Sequence, residues 1–282
     1  MPESIAANPQ LTAEQVVAIL VQPLDKAGVV LAAGPRIFDS QGDPLRVPRL
    51  TGWSDKPRFV AENAAIGDVD ATTDELVLLP STLKSVKVLT KISNELARHS
   101  VVNIANALRD SLVRRVAGVL DDGFLTGDGT SDTITGLVNQ SGILTGDLDL
   151  ASGNLDWAHD AIGLQLAEEV MPNRWLFNSA DFVALRKLKD GNDRYYIQPD
   201  PTQAAAYTLL GLPITVTNRL STGTALLVDM NMVAVGRDLA PSVTLLTETF
   251  AANDQLGIRV VARYDIGLLH AEGVVVLTPP GP

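Results

Sequence analysis

The 282-residue sequence predicts an α+β protein, and three observations predict it. Within Ser93–Gly129 the apolar residues Val101, Ala105, Leu108, Leu112, Val116 and Leu120 recur at steps of three or four, which lines one side of a helix. Val86, Val88, Thr90 and Ile92 alternate with Lys87, Leu89 and Lys91, and Ile258, Val260, Ala262 and Tyr264 alternate with Arg259, Val261 and Arg263. A period of two marks half-exposed strands. Between these segments, Thr133 to about Pro241 mixes helical spacing with short apolar runs and reads as a separate α/β or α+β unit.

Taken in order, Leu11–Gln22 has helical spacing at Leu11, Val16, Ile19 and Leu20, with Thr12 as a candidate cap and Pro23 as its stop. Val29–Pro57 is interrupted by Gly34, Pro35, Gly42, Pro44, Pro48 and Gly52, too often for a compact element. Residues 1–50 therefore read either as an arm lying over neighbouring material or as a poorly ordered terminus. Trp53–Leu79 reads as an extended hairpin, with strand-like runs at Arg58–Glu62 and Leu76–Leu79 around the small, acidic stretch AIGDVDATTD. An isolated hairpin is marginal in water, so a protruding one needs a cover.

The long helix, with Ser100 as N-cap and Asp121, Asp122 and Gly123 closing it, would span about 33 Å at about 1.5 Å per residue. Beyond it, Asn154 is placed to cap a helix through Val170 that Pro172 stops, and Trp175–Phe177 reads as a buried strand. Asn178 is placed to cap a second helix, with Asp181 in its first turn and Gly191 after its end. Leu209–Pro213 turns into a strand at Ile214–Thr217; Ala225–Met230, Met232–Val235 and Val274–Thr278 are further strands.

Composition narrows the function. The chain is 46% hydrophobic, enough for a real core, and no run approaches the roughly 20 apolar residues of a membrane span. The absence of cysteine excludes disulfides and thiolate metal sites. A net charge of −11 disfavours tight binding to nucleic acid; it fits solubility alone, or a surface that does not grip a polyanion. His99, His159 and His270 lack ligand spacing, and no Gly-x-Ser-x-Gly elbow or thiol nucleophile is present. Gly127-Asp128-Gly129-Thr130 lacks the ending of a phosphate loop and follows a helix, so it reads as a turn. Asp128 and Asp132 lack the spacing of a calcium loop. Arg109, Arg114 and Arg115 read as pairing residues, Asp110 with Arg114 for instance. No catalytic, cofactor or metal residue is assigned.

The strand and turn VKVLTKISNEL (86–96), the long helix and then GDGTSDTITGL (127–137) occur in that order, and together they resemble the HK97-fold major capsid proteins of tailed bacteriophages. The resemblance implies an HK97-like capsid fold: an N-terminal arm at 1–50, an extended E-loop hairpin at 51–80, a discontinuous peripheral domain at 81–132 and 242–282 carrying the spine helix, and an axial domain at 133–241. It places the last strand back in the peripheral domain. It implies a structural, non-catalytic subunit that assembles into pentamers and hexamers of an icosahedral head around double-stranded DNA. Trp53, Lys56, Arg58, Phe59 and Glu62 are then candidate intersubunit contacts, Trp53 and Phe59 having the subunit's own core as the competing place.

Expected partners are other copies, a separate scaffolding protein, a portal, decoration proteins, and DNA held weakly without sequence specificity. No membrane is expected. The place is the virion, after assembly in the host cytoplasm. Lys56 is the only lysine of the hairpin and QLGIRVVARYDIG (255–267) contains neither asparagine nor glutamate, so the isopeptide weld of some relatives is not expected. An encapsulin-type nanocompartment shell is the alternative, and a small enzyme with a site in 133–241 is a third reading.

Overall fold

A computed structural model describes residues 28–40, 44–54, 59–63, 66, 68–79, 85–93, 104–130, 133–190, 192–197, 207–246 and 248–280. The expected helix at 11–22, the Ser100 cap and the Asp110–Arg114 pair lie outside the described residues or side chains. The described elements run α1 (Val29–Ala32), β1 (Arg36–Ser40), β2 (Leu45–Trp53), β3 (Ala71–Leu78), β4 (Val86–Ser93), α2 (Ile104–Thr126), β5 (Leu144–Asp147), α3 (Asp156–Ala167), β6 (Arg174–Phe177), α4 (Ser179–Arg186), β7 (Thr208–Leu209), β8 (Leu212–Val216), β9 (Ala225–Val228), β10 (Val233–Leu246), β11 (Gln255–Leu268) and β12 (Val274–Thr278).

The strands form a four-stranded sheet in the order β1-β10-β11-β4, a six-stranded sheet in the order β5-β12-β9-β6-β8-β7, and the ribbon β2-β3. The expected alternation in β4 is borne out, with Lys87, Leu89 and Lys91 exposed and Ile92 buried. The central strands β12, β9 and β6 are buried on both faces, which is why they read as apolar runs. Leu176, Leu226, Val228, Val274 and Val276 face the core made with α2 and β11. Trp175, Phe177, Ala225, Leu227, Val275 and Leu277 face the other way, onto α3 and α4. There Trp157 meets Trp175 and Phe177 edge-on, with ring centroids 5.9 and 6.2 Å apart.

Several expectations are corrected. Residues 29–40 and 44–53 are not irregular: they supply α1, β1 and β2, and β1 pairs in parallel with β10 from Arg36↔Ala234 to Ser40↔Asp238. Pro48 is tolerated because a two-stranded ribbon leaves each strand an open edge where the missing N–H is not needed. Register shifts between Leu50 and Gly52. Of Arg58–Glu62, the described residues 59–62 form no strand; the partner of β3 is β2. Asn154 stands one residue before the cap position of α3, which ends at Ala167, and α4 ends at Arg186, before Gly191. Asn178 caps α4 as expected, its side chain accepting from the Ala180 N–H. Val274–Thr278 pairs with β5 and β9 in the six-stranded sheet, not with the sheet of β4, because its apolar face closes the core shared with Leu226 and Val228.

Helix α2 holds these parts together. Leu112, Val116 and Leu120 are buried as the spacing predicts, and Val113, Ala117, Phe124 and Leu125 widen the stripe. The helix does not close at Gly123 but runs to Thr126. The Gly127 N–H still donates to the Gly123 carbonyl one helical turn back, and tertiary contact sets the end: the Gly136 N–H donates to the Gly127 carbonyl at 2.8 Å. Asn139 Nδ2 donates to the carbonyls of Thr126 and Gly127, supplying donors for the free C-terminal groups. A Cβ on Gly136 would stand 2.6 Å from the Gly127 nitrogen, 2.7 Å from the Leu125 carbonyl carbon and 2.8 Å from the Gly123 oxygen. Those are backbone atoms, which cannot move aside.

Two carboxylates on α2 reach far along the chain. Asp121, 3% exposed, accepts the N–H groups of Val29 at 2.8 Å and Val30 at 3.1 Å, pinning α1 to the helix. Burial pushes its carboxyl above the ordinary value, against the pull of those two donors. Asp122 takes the guanidinium of Arg219 at 2.9 Å, which lies over Gly118, where a side chain would collide with it.

Gly136→Ala should lower unfolding free energy by about 2–3 kcal/mol in urea denaturation. Gly163→Ala, in the interior of α3 with nothing within 4 Å of the new Cβ, should raise it by about 0.5–1 kcal/mol. Equal effects of the two changes would contradict the close approach at the helix end.

Candidate functional site

The ribbon β2-β3 is the part of the chain that the subunit finishes least. Its base is well seated. Leu76 is half-buried and Leu78 and Leu79 are buried, and Leu76 and Leu78 pack with Leu45, Val47, Phe38, Ala234 and Leu269. The seat exists because Gly236 on β10 and Gly267 on β11 have no side chains: a Cβ on Gly267 would stand 2.9 Å from Leu76 Cδ1 and from Leu78 Cδ2, and one on Gly236 3.2 Å from Leu78 Cβ. Asp265 accepts the Leu79 N–H at 2.8 Å and Arg49 Nη1 donates to the Leu268 carbonyl at 3.2 Å. Full burial of Leu78 and of Leu79 contributes about 1.5–3 kcal/mol each.

Away from the base the packing stops. Residues 71–75 are exposed, and Leu50, Val60, Ile66 and Phe59 keep apolar side chains in water, Ile66 at 83% and Phe59 completely; Val77 is exposed too, on the opposite face of the base from Leu76 and Leu78. The two strands are tied across the ribbon by Arg46–Glu75 at 2.9 Å and Arg49–Asp74 at 2.6 Å. The guanidinium of Arg49, hydrogen-bonded to Asp74, holds that carboxyl below its ordinary value, helped by the Glu75 N–H. Solvent screening leaves exposed pairs of this kind little strength, so they fix registry more than stability.

Of the five residues singled out in the sequence, Phe59 and Glu62 are exposed on the described part of the ribbon's outer segment, so Phe59 does not lie in the subunit's own core. Trp53 stands at the end of β2, opposite Ala71; its side chain, like Lys56 and Arg58, lies outside the described residues. The sequence reading missed Leu50, Val60, Ile66 and Val77. Ile66 is the largest apolar residue in a small and acidic stretch, and that contrast was the available signal.

The Gly-Asp-Gly-Thr segment is a structural turn. Asp128 accepts from the Thr130 N–H and from the hydroxyls of Thr130 and Thr133, which lower its carboxyl to about 2. Among the described residues no three His, Asp or Glu converge as a metal-holding group, and no helix is long and apolar enough to cross a membrane.

The ribbon is rooted in its own subunit, and its outer part leaves Phe59 and Ile66 exposed. The model of the phage capsid family matches residues 11–278. The chain belongs to the phage capsid family. A major capsid protein of Klebsiella oxytoca phage phiKO2 is 24% identical over 92% of this chain, and the chain spans 65% of that relative's length. Among solved structures, the capsid of a native GTA particle matches with a TM-score of 0.71 at 17% identity, covering 90% of each chain. A chain of Mycobacterium phage Bobi matches with a TM-score of 0.69 at 18% identity, covering 100% of this chain and 96% of that one. These likenesses bear out the expected HK97-like capsid fold.

Because Asp74 is held below its ordinary value in the folded state, its contribution is present above that value and is lost as pH falls through the lowered one. In Arg49→Met the Asp74 carboxyl should titrate higher than in the parent by NMR. An unchanged midpoint would contradict the pair.

Proposed function

We propose that this member of the phage capsid family is a major capsid subunit that joins copies of itself into pentamers and hexamers and closes an icosahedral head around double-stranded DNA, without catalysis. The observation that supports this best is the ribbon, anchored by Leu78 and Leu79 and left with Phe59 and Ile66 in water. Covering such side chains on a neighbour contributes roughly 25 cal/mol per Å². Lys56 and Arg58 join Trp53, Phe59 and Glu62 in this proposed contact.

The division into arm (1–50), E-loop hairpin (51–80), peripheral domain (81–132 and 242–282) and axial domain (133–241) belongs to the same proposal. Strand pairing favours two changes: residues 36–40 go with the four-stranded sheet and residues 274–278 with the six-stranded one. A net charge of −11 suits an inner wall that holds DNA weakly. A separate scaffolding protein, a portal and decoration proteins are further proposed partners, and the host cytoplasm is the proposed place of assembly. An encapsulin-type shell is less favoured, because the matched curated relative is a phage protein.

Phe59→Asp with Ile66→Asp should leave the unfolding free energy of the subunit within about 0.5 kcal/mol of the parent. The yield of closed particles in electron micrographs should fall about tenfold or more. Normal particle yield from this variant would overturn the role of the ribbon, and a parent chain that stays monomeric under every assembly condition would overturn the function.

A further inference from the structure

The six-stranded sheet ends in two short edge strands, β5 and β7, and these edges carry opposite charge. At the β5 edge α3 packs on β5 and β12 and borders a groove of about 720 Å³, lined by Asp147, Asp149, Asp156 and Asp160 together with Trp157 and Leu164. Trp157 is 5% exposed, and its indole N–H has no acceptor among the described residues. Asp147 and Asp160 are exposed, and no cation lies within ion-pair distance of either among the described residues.

The β7 edge has the opposite chemistry. The Phe182 ring of α4 meets the Tyr207 ring, next to β7, edge-on at 5.1 Å, which brings the start of the segment that follows α4 to that side of the sheet. Just before it, the Arg186 guanidinium lies 4.9 Å from the Tyr207 ring, and Lys189 lies 5.3 Å from that of Tyr195. Lys187 and Arg194 are exposed with no carboxylate in ion-pair distance among the described residues. Between residues 186 and 194 the chain has four cations and two aspartates, Asp190 and Asp193; Asp193 pairs with Lys189 at 3.3 Å, and Arg186, Lys187 and Arg194, set among tyrosines, leave the ridge net basic. Arginine and tyrosine are the residue types that anchor protein interfaces.

Five inter-strand steps of roughly 4.8 Å, on the order of 24 Å, separate the two edges, so the groove and the ridge of one copy cannot meet. Two acidic edges would repel each other, which disfavours a two-fold contact. We infer that the two edges are the halves of one contact between copies of this chain: the basic ridge at the β7 edge of one copy seats in the acidic groove at the β5 edge of the next. Such a contact is head-to-tail and generates a ring when its rotation closes. The inference rests on the assembly reading above and names the surface by which neighbours recognise one another.

The test reverses each edge in the full chain. Asp147→Lys with Asp160→Lys, and separately Lys187→Glu with Arg194→Glu, should each cut the yield of closed particles about tenfold or more by sedimentation while keeping the parent's thermal midpoint. The chain carrying all four changes restores opposite charges across every contact, and its yield should return to within about threefold of the parent. Parent-like assembly of either reversed edge, or a four-change chain as defective as the others, would overturn the inference while leaving the shell function standing; a parent that forms no particles is failure of that function instead.

Should a reversed edge shift the thermal midpoint, the neutral pairs Asp147→Asn with Asp160→Asn and Lys187→Gln with Arg194→Gln replace it. Each should then lose the parent's sensitivity to raising salt from about 50 to about 500 mM, and a parent insensitive to salt overturns the inference. Parent assembly abolished by a chelator, with the basic-edge variant assembling normally, would assign the groove to a divalent cation and overturn it equally.

Discussion

Two glycines facing the hairpin make this subunit what it is. Gly236 and Gly267 leave a trough on the four-stranded sheet into which Leu76 and Leu78 settle, and Asp265 closes it by accepting the Leu79 N–H. A side chain at Gly267 would displace the leucines. With the base held, the remainder of the ribbon need not fold back, and Leu50, Phe59 and Ile66 stay in water. A two-stranded ribbon with bare apolar tips is poor economy for a monomer, and it becomes favourable when a second copy covers it.

The rest of the molecule keeps that trough rigid. Helix α2 lies on β11 and β4 and gathers distant pieces of chain through its last turns. Asp121 takes two backbone donors from α1, Asp122 takes Arg219 from beyond β8, and Gly127 and Gly136 let the following segment lie against the helix end. The two sheets share one core on either side of this helix, from Leu112 to Val276. The six-stranded unit is therefore fixed with respect to the ribbon's seat, which is a requirement for a subunit whose neighbours must be placed accurately.

What the sequence showed depends on whether the information was local. The body of α2, the alternation in β4 and β11 and the Asn178 cap follow from spacing and side-chain chemistry within one element. The end of α2 did not, because Asp121, Asp122 and Gly123 look like a helix stop while their contacts lie 90 or more residues away in the case of both carboxylates. Strand β2 was hidden by Pro48 and Gly52, which rule out a central strand but not one in a ribbon. The partner of Val274–Thr278 was unreadable, since an apolar run suits either sheet equally. In the site, Phe59 and Glu62 were legible as contact candidates and are exposed, whereas Ile66 stood out only by contrast with its small, acidic neighbours.

Hydrogen exchange of the free subunit and of the closed particle tests the central claim most directly. Amides at the base of the ribbon, around Leu45–Val47 and Leu76–Leu79, should be protected in both states, and those around Leu50–Trp53 and Ala71–Asp74 should gain protection only in the particle. Equal protection of the outer ribbon in both states would contradict the account.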